Sequence, residues 1–289
     1  MARADGNDSR LITRCAPSPT GPLHLGHAFS AMLSHDMARD AGGTFLLRIE
    51  DIDRSRARPD WEAQIMDDLT WLGLTWPVPV MRQSDRLTVY RAALAHLWDR
   101  GLLYPCTCNR RDILAAASAP QEGAPMGPDG VIYPGTCRHR PRTGPLPTDT
   151  ALRLDMDLAA REPVAWRDNG RMLTASRDTF INDIGDVVLA RRDMGTSYHL
   201  SVVLDDAAQG VTDVTRGEDL AEATPIHILL QQLLDLPTPV YHHHRLIRDA
   251  AGKRLAKRDD ARAIATYRAE GATPADIRRM VDLPLHLAK

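Results

Sequence analysis

Two histidines, His24 and His27, lie where a proline-rich turn leads into an apolar helical pattern, within CAPSPTGPLHLGHAFSAML. Residues three apart on a helix share a face, so both imidazoles can meet one ligand. The backbone N–H groups and the dipole at a helix N-terminus favour a phosphate. Two imidazoles beside a triphosphate can stabilise charge that develops on an attacked phosphorus, and Gly26 lets a flat ring approach the backbone. Taken alone, His-x-x-His also fits a helix start with two surface histidines.

The lysines supply a second candidate for phosphate chemistry. The chain has 36 Lys plus Arg residues, and of these only Lys253, Lys257 and Lys289 are lysines. The first two lie within five residues of each other in the polar stretch RDAAGKRLAKRDD. Such a basic segment can bind a triphosphate and neutralise the leaving pyrophosphate, although a solvated basic loop would have the same composition.

Three of the four cysteines form a pattern typical of a metal site. Cys106 and Cys108 make a C-x-C pair, and Cys137 follows a Pro/Gly-rich stretch at 118–130. Three thiolates and one further donor complete a tetrahedral zinc site, and His139 in Cys-x-His is a chemically common fourth ligand. A structural zinc would hold together an insertion that has little core of its own.

Composition limits the functional classes. The chain has 289 residues, of which 43% are hydrophobic, and a net charge of −2. These values predict a globular protein with a large core and no overall attraction to nucleic acid, so a nucleic-acid surface would be a local patch. The N-terminal residues are polar, unlike a signal peptide, and no apolar run is long enough for a membrane span. We therefore expect a cytoplasmic monomer with a disordered tail at 1–10.

The elements that must position these residues follow an α/β pattern. A strand at 11–17, a helix at 26–41 and a strand at 44–50 predict a parallel βαβ unit. Three adjacent histidines at 242–244 would alternate between the faces of a strand, so we interpret them as structural. Further predictions are helices at 59–72, 85–100, 197–208 and 223–235, strands at 186–191 and 211–217, and two short helical segments within 261–289.

The stretch PSPTGPLHLGH at 17–27 resembles the HIGH signature of class I aminoacyl-tRNA synthetases. In detail it is similar to the glutamyl/glutaminyl branch, as is LRIEDID at 47–53. GKRLAKR at 252–258 lies where that family carries its KMSKS loop, with Ala256 in place of the usual serine. The resemblance implies that the chain activates an amino acid as its adenylate, using ATP with Mg²⁺. The ATP-binding residues that it implies are His24, Gly26, His27, Arg254 and Lys257, of which His24, His27 and Lys257 would be catalytic.

The same resemblance implies glutamate as the amino acid. GTSYHLSVVLDD at 195–206 resembles the branch's segment with a substrate-facing tyrosine, and TRGEDL at 215–220 resembles its segment with a carboxylate-binding arginine. Glu50 would bind the α-ammonium group and Arg216 the γ-carboxylate, since an amide would leave the guanidinium without an anion. His199 stands where asparagine is more usual. The implied glutamate-binding residues are Arg14, Cys15, Ala16, Pro17, Ser18, Glu50, Tyr198 and Arg216.

The resemblance also bears on the metal and the domains. IYPGTC at 132–137 resembles the family's Tyr-x-x-x-Cys pattern, which implies Tyr133 as the fourth zinc ligand beside the three cysteines. It implies a Rossmann-like parallel sheet with a zinc-binding insertion and a short helical C-terminal segment. The expected divisions are 11–100 and 181–245 for the halves of the nucleotide-binding domain, 101–180 for the insertion, and 246–289 for the KMSKS-like loop and C-terminal helices.

The chain ends about thirty residues after Arg258, where glutamyl-tRNA synthetases continue into helical domains that read the anticodon. It therefore resembles their short paralogues, for which we expect no anticodon-binding domain. The resemblance implies transfer of glutamate to the queuosine base of tRNA(Asp), with arginine-rich patches at 138–142 and 253–258 contacting phosphates. The alternatives are a ligase similar to pantothenate synthetase and a non-catalytic, zinc-containing tRNA-binding paralogue.

Overall fold

The computed structural model of the protein describes residues 10–117, 124–248 and 262–284. The α-helices are α1 (Leu25–Asp40), α2 (Pro59–Trp71), α3 (Leu87–Asp99), α4 (Arg110–Ala117), α5 (Met156–Ala159), α6 (Tyr198–Ala208), α7 (Thr224–Leu233), α8 (Ile264–Ala269) and α9 (Pro274–Met280). The strands are β1 (Ile12–Cys15), β2 (Thr44–Ile49), β3 (Met81–Arg82), β4 (Leu103–Cys106), β5 (Met126–Gly127), β6 (Gly130–Val131), β7 (Ala151–Leu154), β8 (Val164–Asp168), β9 (Arg171–Ala175), β10 (Val188–Ala190), β11 (Asp213–Gly217) and β12 (Val240–His244).

The predicted βαβ unit is present. Strands β1 and β2 pair in parallel, β3 continues this sheet, and β11 pairs in parallel with β12. β1 lies beside β11, because the Thr212 amide donates to the Ile12 carbonyl at 3.0 Å and Arg14 Nη1 donates to the Thr215 carbonyl at 3.2 Å. The two strands therefore run in the same direction. Their carboxyl ends meet where the strand order reverses, which is the usual ligand position in open α/β sheets.

Helix α1 covers the sheet through a fully buried apolar stripe that includes Ala28 and Met32. The C-terminal helices join this part of the core through Ile264 and Ile277, both fully buried. Arg278 on α9 binds Asp36 on α1 with two hydrogen bonds of 2.8 and 3.0 Å. The C-terminal segment thus supports the helix that carries both site histidines. Among the described residues, no helix is long and apolar enough to cross a membrane.

The strand expected at 186–191 has a different role from the predicted one. β10 pairs antiparallel with β7, which pairs antiparallel with β4, so it belongs to a separate three-stranded sheet. The sequence predicts this strand as part of the second half of the nucleotide-binding domain, at 181–245; the strand is present, but it pairs antiparallel. A three-residue apolar strand has no periodicity that distinguishes parallel from antiparallel pairing.

Candidate active site and metal centre

One cavity of about 380 Å³ opens at the carboxyl ends of β1, β2 and β11. It brings together most of the residues that the sequence predicts, from five separate elements or their flanking turns. The predicted residues that line it are Arg14, Cys15, Ala16, Pro17, His24, Gly26, His27, Glu50, Tyr198 and Arg216. Ser18 is not among the lining residues, and Arg254 and Lys257 lie outside the described part of the chain.

His24 and His27 form a reciprocal cap on α1. The Gly26 amide donates to His24 Nδ1 at 3.1 Å, and the His24 amide donates to His27 Nδ1 at 3.1 Å. The ring centroids are 3.8 Å apart. Because each Nδ1 accepts a backbone proton, the neutral form of each ring carries its own proton on Nε2. The cap therefore holds two Nε2–H donors, on neighbouring tilted rings, at the N-terminus of the helix.

Gly26 has a specific steric role in this cap. A Cβ atom at Gly26 would lie 3.0 Å from His24 Cε1. The close neighbour of this glycine is thus the His24 ring itself, and any larger residue would displace that ring.

Arg14 and Arg48 share one buried carboxylate. Asp206 on α6 accepts from Arg14 Nε at 3.0 Å and from Arg48 Nη1 at 2.7 Å. Arg48 also donates to Glu50 at 3.2 Å, which holds this carboxylate at the cavity wall. Burial raises the pKa of Glu50, while Arg48 and Arg14 oppose the shift. For Asp206, burial acts against ionisation, but the two arginines lower its pKa overall.

Arg216 at the end of β11 is held by neutral partners. Its Nε donates to His243 Nε2 at 3.0 Å, Nη1 donates to His227 Nδ1 at 2.9 Å, and Nη2 donates to Thr224 Oγ1 at 2.7 Å. Within the described ranges, no carboxylate forms an ion pair with Arg216. A guanidinium has five N–H donors, so two remain beyond these three contacts. The arrangement offers a positive charge and a two-pronged donor to a ligand in the cavity.

Tyr198 and Cys15 complete the wall near Arg14. Tyr198 is the first residue of α6, which is capped by the Ser197 hydroxyl. Burial raises the pKa of Tyr198, so its phenol stays protonated and can donate a hydrogen bond. Burial likewise raises the pKa of Cys15 to about 12. The Cys15 thiol is therefore a neutral packing group rather than a nucleophile.

Sequence reasoning missed several residues in and behind the cavity wall. His243 does not line the cavity, but it accepts a hydrogen bond from Arg216 and binds Asp168 through Nδ1 at 2.6 Å, so it orients Arg216. The neighbouring His244 donates Nδ1–H to the Arg245 carbonyl at 2.9 Å, and its buried Nε2 has no hydrogen-bond partner among the residues that the structure describes. His243 lies opposite Arg216 in the parallel pairing of β11 with β12, and alternation along one strand does not reveal that pairing. The lining residues that the sequence did not predict are Ser30, Thr215, Gly217, Asp219, Leu220, His244, Leu246 and Ile247.

The cysteine cluster has the dimensions of a tetrahedral metal site. The Sγ atoms of Cys106, Cys108 and Cys137 all lie within 4.8 Å of one another. The Tyr133 hydroxyl is 3.4 Å from the first two sulfurs. Ligands of a tetrahedral zinc are ~3.5–3.8 Å apart, given the usual zinc–sulfur and zinc–oxygen distances. The donor set therefore fits zinc, and the exposed His139 is not part of the group.

The surroundings of the cluster favour a thiolate at Cys137, whereas burial raises the pKa of Cys108. Burial acts against ionisation of Cys137, but hydrogen bonds, first from the Tyr133 hydroxyl, lower its pKa to about 6. Burial raises the pKa of Tyr133, so a cation would have to supply the charge that ionises this phenol. Arg153 donates to Cys106 Sγ at 3.4 Å and lies 3.8 Å from the Tyr133 ring centroid. Its charge offsets the negative charge that four anionic ligands would bring.

Comparison with known proteins identifies the family. Residues 10–284 match the family described as tRNA synthetases class I (E and Q), catalytic domain. This chain belongs to that family. It is 70% identical over 279 residues to the glutamyl-Q tRNA(Asp) synthetase of Rhodobacter capsulatus, covering 94% of this chain and all of the relative. It is 43% identical over 284 residues to the protein of the same name from Symbiobacterium thermophilum, covering 92% and 84% of the two chains.

The solved structures agree with this assignment. A glutamate tRNA ligase from Elizabethkingia meningosepticum, in complex with its amino acid, superposes with a TM-score of 0.73 at 27% identity. The match covers 92% of this chain and 59% of that one, so the chain spans about three fifths of the length of that ligase. The class I synthetase fold and the resemblance to the glutamyl branch are thereby confirmed, and the protein is a ligase of the aminoacyl-tRNA synthetase type.

Proposed function

We propose that this synthetase activates L-glutamate with ATP as glutamyl-adenylate and transfers the glutamyl group to the queuosine base of tRNA(Asp). One observation carries the proposal. The adjacent rings of His24 and His27 line the same cavity as Arg216 and Glu50, at the carboxyl ends of β1, β2 and β11. A helix N-terminus suited to a phosphate and a pocket suited to an acidic amino acid therefore lie side by side.

Glutamate fits the charges on one side of the cavity. Arg216 offers two N–H donors and no competing carboxylate among the described residues, which suits a γ-carboxylate. Glu50 presents a carboxylate for the α-ammonium group. Tyr198 and the backbone around Cys15 and Ala16 close the pocket between them. Glutamine would place an amide against Arg216 and would lose the charge-assisted pair.

ATP fits the other side. His24 and His27 would donate to phosphate oxygens, and Gly26 keeps the first ring in place. Arg254 and Lys257 are proposed to bind the triphosphate with Mg²⁺, and the chain on both sides of their segment supports this. Leu246 and Ile247 line the cavity before it, and after it Ala263 pairs with His24.

The attack is then a displacement at the α-phosphorus. A glutamate α-carboxylate oxygen forms the new bond to phosphorus, and the bond to the bridging oxygen of pyrophosphate breaks. The imidazoles stabilise the charge on the phosphate oxygens in the transition state, while lysine and arginine neutralise the pyrophosphate that leaves. Arg216 and Glu50 hold the amino acid so that its carboxylate faces the phosphorus.

The acceptor is proposed from the relatives. The curated proteins with 70% and 43% identity are named glutamyl-Q tRNA(Asp) synthetases. A queuosine-bearing tRNA(Asp) is therefore the acceptor that we infer. Arg140, the exposed arginine of the 138–142 segment, is a candidate for a contact to its phosphates.

Zinc is proposed as a structural metal. Cys106, Cys108, Cys137 and Tyr133 would hold it at the base of the insertion. A bound zinc would supply folding free energy to a segment whose own buried cluster is small.

The decisive experiment is ATP–pyrophosphate exchange without tRNA, run with L-glutamate, L-glutamine, L-aspartate and pantoate in parallel. We expect exchange that depends on glutamate and falls at least about a hundredfold in His27→Ala, since a lost transition-state donor costs about that much. Exchange with pantoate alone would support a pantothenate-synthetase-like ligase. No exchange with any substrate would support a non-catalytic paralogue.

A second assay fixes the acceptor. Labelled glutamate is offered with tRNA(Asp) that carries queuosine, with the same tRNA lacking queuosine, and with tRNA(Glu). We expect label only in the first. Label on tRNA(Glu) would contradict the proposed acceptor but would leave glutamate activation intact.

A further inference from the structure

A line of hydrogen bonds runs from Arg216 through the core to the surface of the insertion. Arg216 Nη1 lies 2.9 Å from His227 Nδ1, and His227 Nε2 lies 3.0 Å from His199 Nδ1. His199 Nε2 then lies 2.9 Å from Asp129 Oδ1. The two histidines are 1% and 5% exposed, so no solvent is needed to satisfy them.

The chemistry of the groups assigns every proton in this line. Arginine only donates, so His227 Nδ1 must accept and His227 carries its proton on Nε2. That proton goes to His199 Nδ1, and His199 in turn donates its Nε2 proton to the Asp129 carboxylate. Burial and the charge of Arg216 lower the pKa of His227 well below its ordinary value, which agrees with a neutral acceptor.

A neutral acceptor orients Arg216 without cancelling its charge. A carboxylate in place of His227 would form an ion pair with the guanidinium and would compete with a carboxylate ligand. The imidazole fixes the plane of the guanidinium through a hydrogen bond and leaves two of its N–H donors for the cavity. Two carboxylates lie behind these imidazoles: Asp168 is one imidazole away from Arg216, through His243, and Asp129 is two imidazoles away.

We propose that His227, His199 and Asp129 are positioning residues that orient Arg216 and set the preference of the enzyme for glutamate over glutamine. The inference rests on the proposed binding of the γ-carboxylate by Arg216. Asp129 lies in the turn between β5 and β6, four residues before Tyr133. The insertion that holds the cysteine cluster therefore also supplies the outer end of the line that orients the amino-acid pocket.

The first test compares two substitutions of His227. Glutamine in His227→Gln can offer an amide oxygen to Arg216 and an N–H to His199, whereas His227→Leu can offer neither. In glutamate-dependent ATP–pyrophosphate exchange, we expect His227→Leu to raise KM for glutamate about tenfold and to lower the glutamate-to-glutamine ratio of kcat/KM by a similar factor. His227→Gln should keep both values within about threefold of the wild type.

The second test acts from the surface. The Asp129 side chain is 48% exposed, so Asp129→Ala should leave the fold intact. We expect it to raise KM for glutamate about threefold to fivefold with kcat little changed. His199 loses its hydrogen-bond acceptor, so the orientation of His227 and Arg216 is fixed less firmly. Asp183→Ala is the matched control, since Asp183 is exposed and its carbonyl lies against Gly127 of the same hairpin.

The outcomes separate the inference from the function on which it rests. A wild-type protein without glutamate-dependent exchange overturns both. A wild type that activates glutamate, with folded His227→Leu and Asp129→Ala variants that keep its KM and its glutamate-to-glutamine ratio, overturns the inference alone. Failure of His227→Gln to restore the ratio while Tm is unchanged also overturns it. Should His227→Leu not fold, the comparison of KM for glutamate between Asp129→Ala and Asp183→Ala decides whether the inference holds.

Discussion

At the scale of single residues, the cap on α1 shows how a short motif achieves its chemistry. His24 and His27 use Nδ1 to satisfy backbone amides that a helix N-terminus leaves without partners. The same bonds fix both rings and place the proton of each neutral ring on the opposite nitrogen. A spacing of three residues is needed, because the second ring must reach back over one helical turn to the first amide.

Gly26→Ala tests this cap. The added Cβ would lie 3.0 Å from His24 Cε1, so the ring must shift by a few tenths of an ångström from its place beside His27. We expect glutamate-dependent exchange to fall about tenfold or more while Tm is unchanged or rises, because alanine favours the helix by about 0.8–1 kcal/mol over glycine. In the background of His24→Ala the same substitution should have little further effect. An equal loss in both backgrounds would show that Gly26 acts in another way.

Glu50 gives a prediction on pH. Burial raises its pKa above the ordinary value, so Glu50 takes up a proton at a higher pH than an exposed glutamate does. The protonated carboxyl no longer pairs with the α-ammonium group. We expect KM for glutamate to rise as pH falls from 7.5 toward 5, and we expect Glu50→Gln to have a high KM that varies less with pH. Parallel pH profiles for the two proteins would exclude this role for Glu50.

At the scale of elements, the insertion brings ligands together from strands that are far apart in sequence. Cys106 ends β4, and Tyr133 and Cys137 follow β6, on the other side of the Pro/Gly-rich stretch. Arg153 on β7 reaches across the antiparallel sheet to the first cysteine. Local spacing indicated the sulfur ligands, but only the sheet explains how they meet.

Cys106→Ser tests the metal at this scale. We expect the purified wild type to hold about one zinc per chain and the variant to hold little, with Tm lower by several degrees because metal binding is part of the folding free energy. Metal content by mass spectrometry and thermal unfolding are the measurements. Cys15→Ser is the control for metal content, since Cys15 lies in the cavity and away from the cluster. Equal zinc content in both variants would contradict the site.

At the scale of the whole molecule, one carboxylate ties a helix from the second half of the chain to two strands from its first fifty residues. Asp206 on α6 binds Arg14 of β1 and Arg48 of β2, all three of them at most 7% exposed at the side chain. Such a buried group is favourable only while every charge has its partner. The fold and the amino-acid pocket therefore depend on the same contact.

Asp206→Asn should destabilise the protein by about 3–5 kcal/mol, because two buried guanidinium groups lose their shared anion. The pKa of Asp206 is lowered in the folded protein, so its contribution to stability is present above the unfolded pKa and is lost as pH falls through the folded one. We expect wild-type stability to decline toward low pH and the variant to show a weaker decline. Urea unfolding between pH 3 and 7 measures both.

Asp67→Asn is the matched control for this prediction. Asp67 pairs with Arg268 at the surface, where its side chain is 65% exposed. We expect a change below about 1 kcal/mol, as for other exposed ion pairs. Equal losses in the free energy of unfolding would show that the buried ion pairs of Asp206 contribute no more to stability than an exposed ion pair does.

The sequence alone determined the parts of this protein that depend on short spacings. The βαβ start, the histidine pair and the C-x-C cysteines follow from motifs of a few residues, whereas the roles expected of Glu50 and Arg216 come from the resemblance to the glutamyl branch. A cap, a strand end or a C-x-C pair needs only neighbouring residues to take its geometry. The fold class is confirmed, and ten of the predicted site residues line one cavity.

The tertiary structure alone decided what surrounds those residues. The partners of Arg216 come from α7, β12 and, through His199, from α6 and the insertion. The antiparallel pairing of β10 could not be predicted from the sequence either, because three apolar residues do not show whether the neighbouring strand runs parallel or antiparallel. Such contacts join residues up to 70 positions apart, and no local pattern specifies which buried acceptor will meet which donor once the chain has folded.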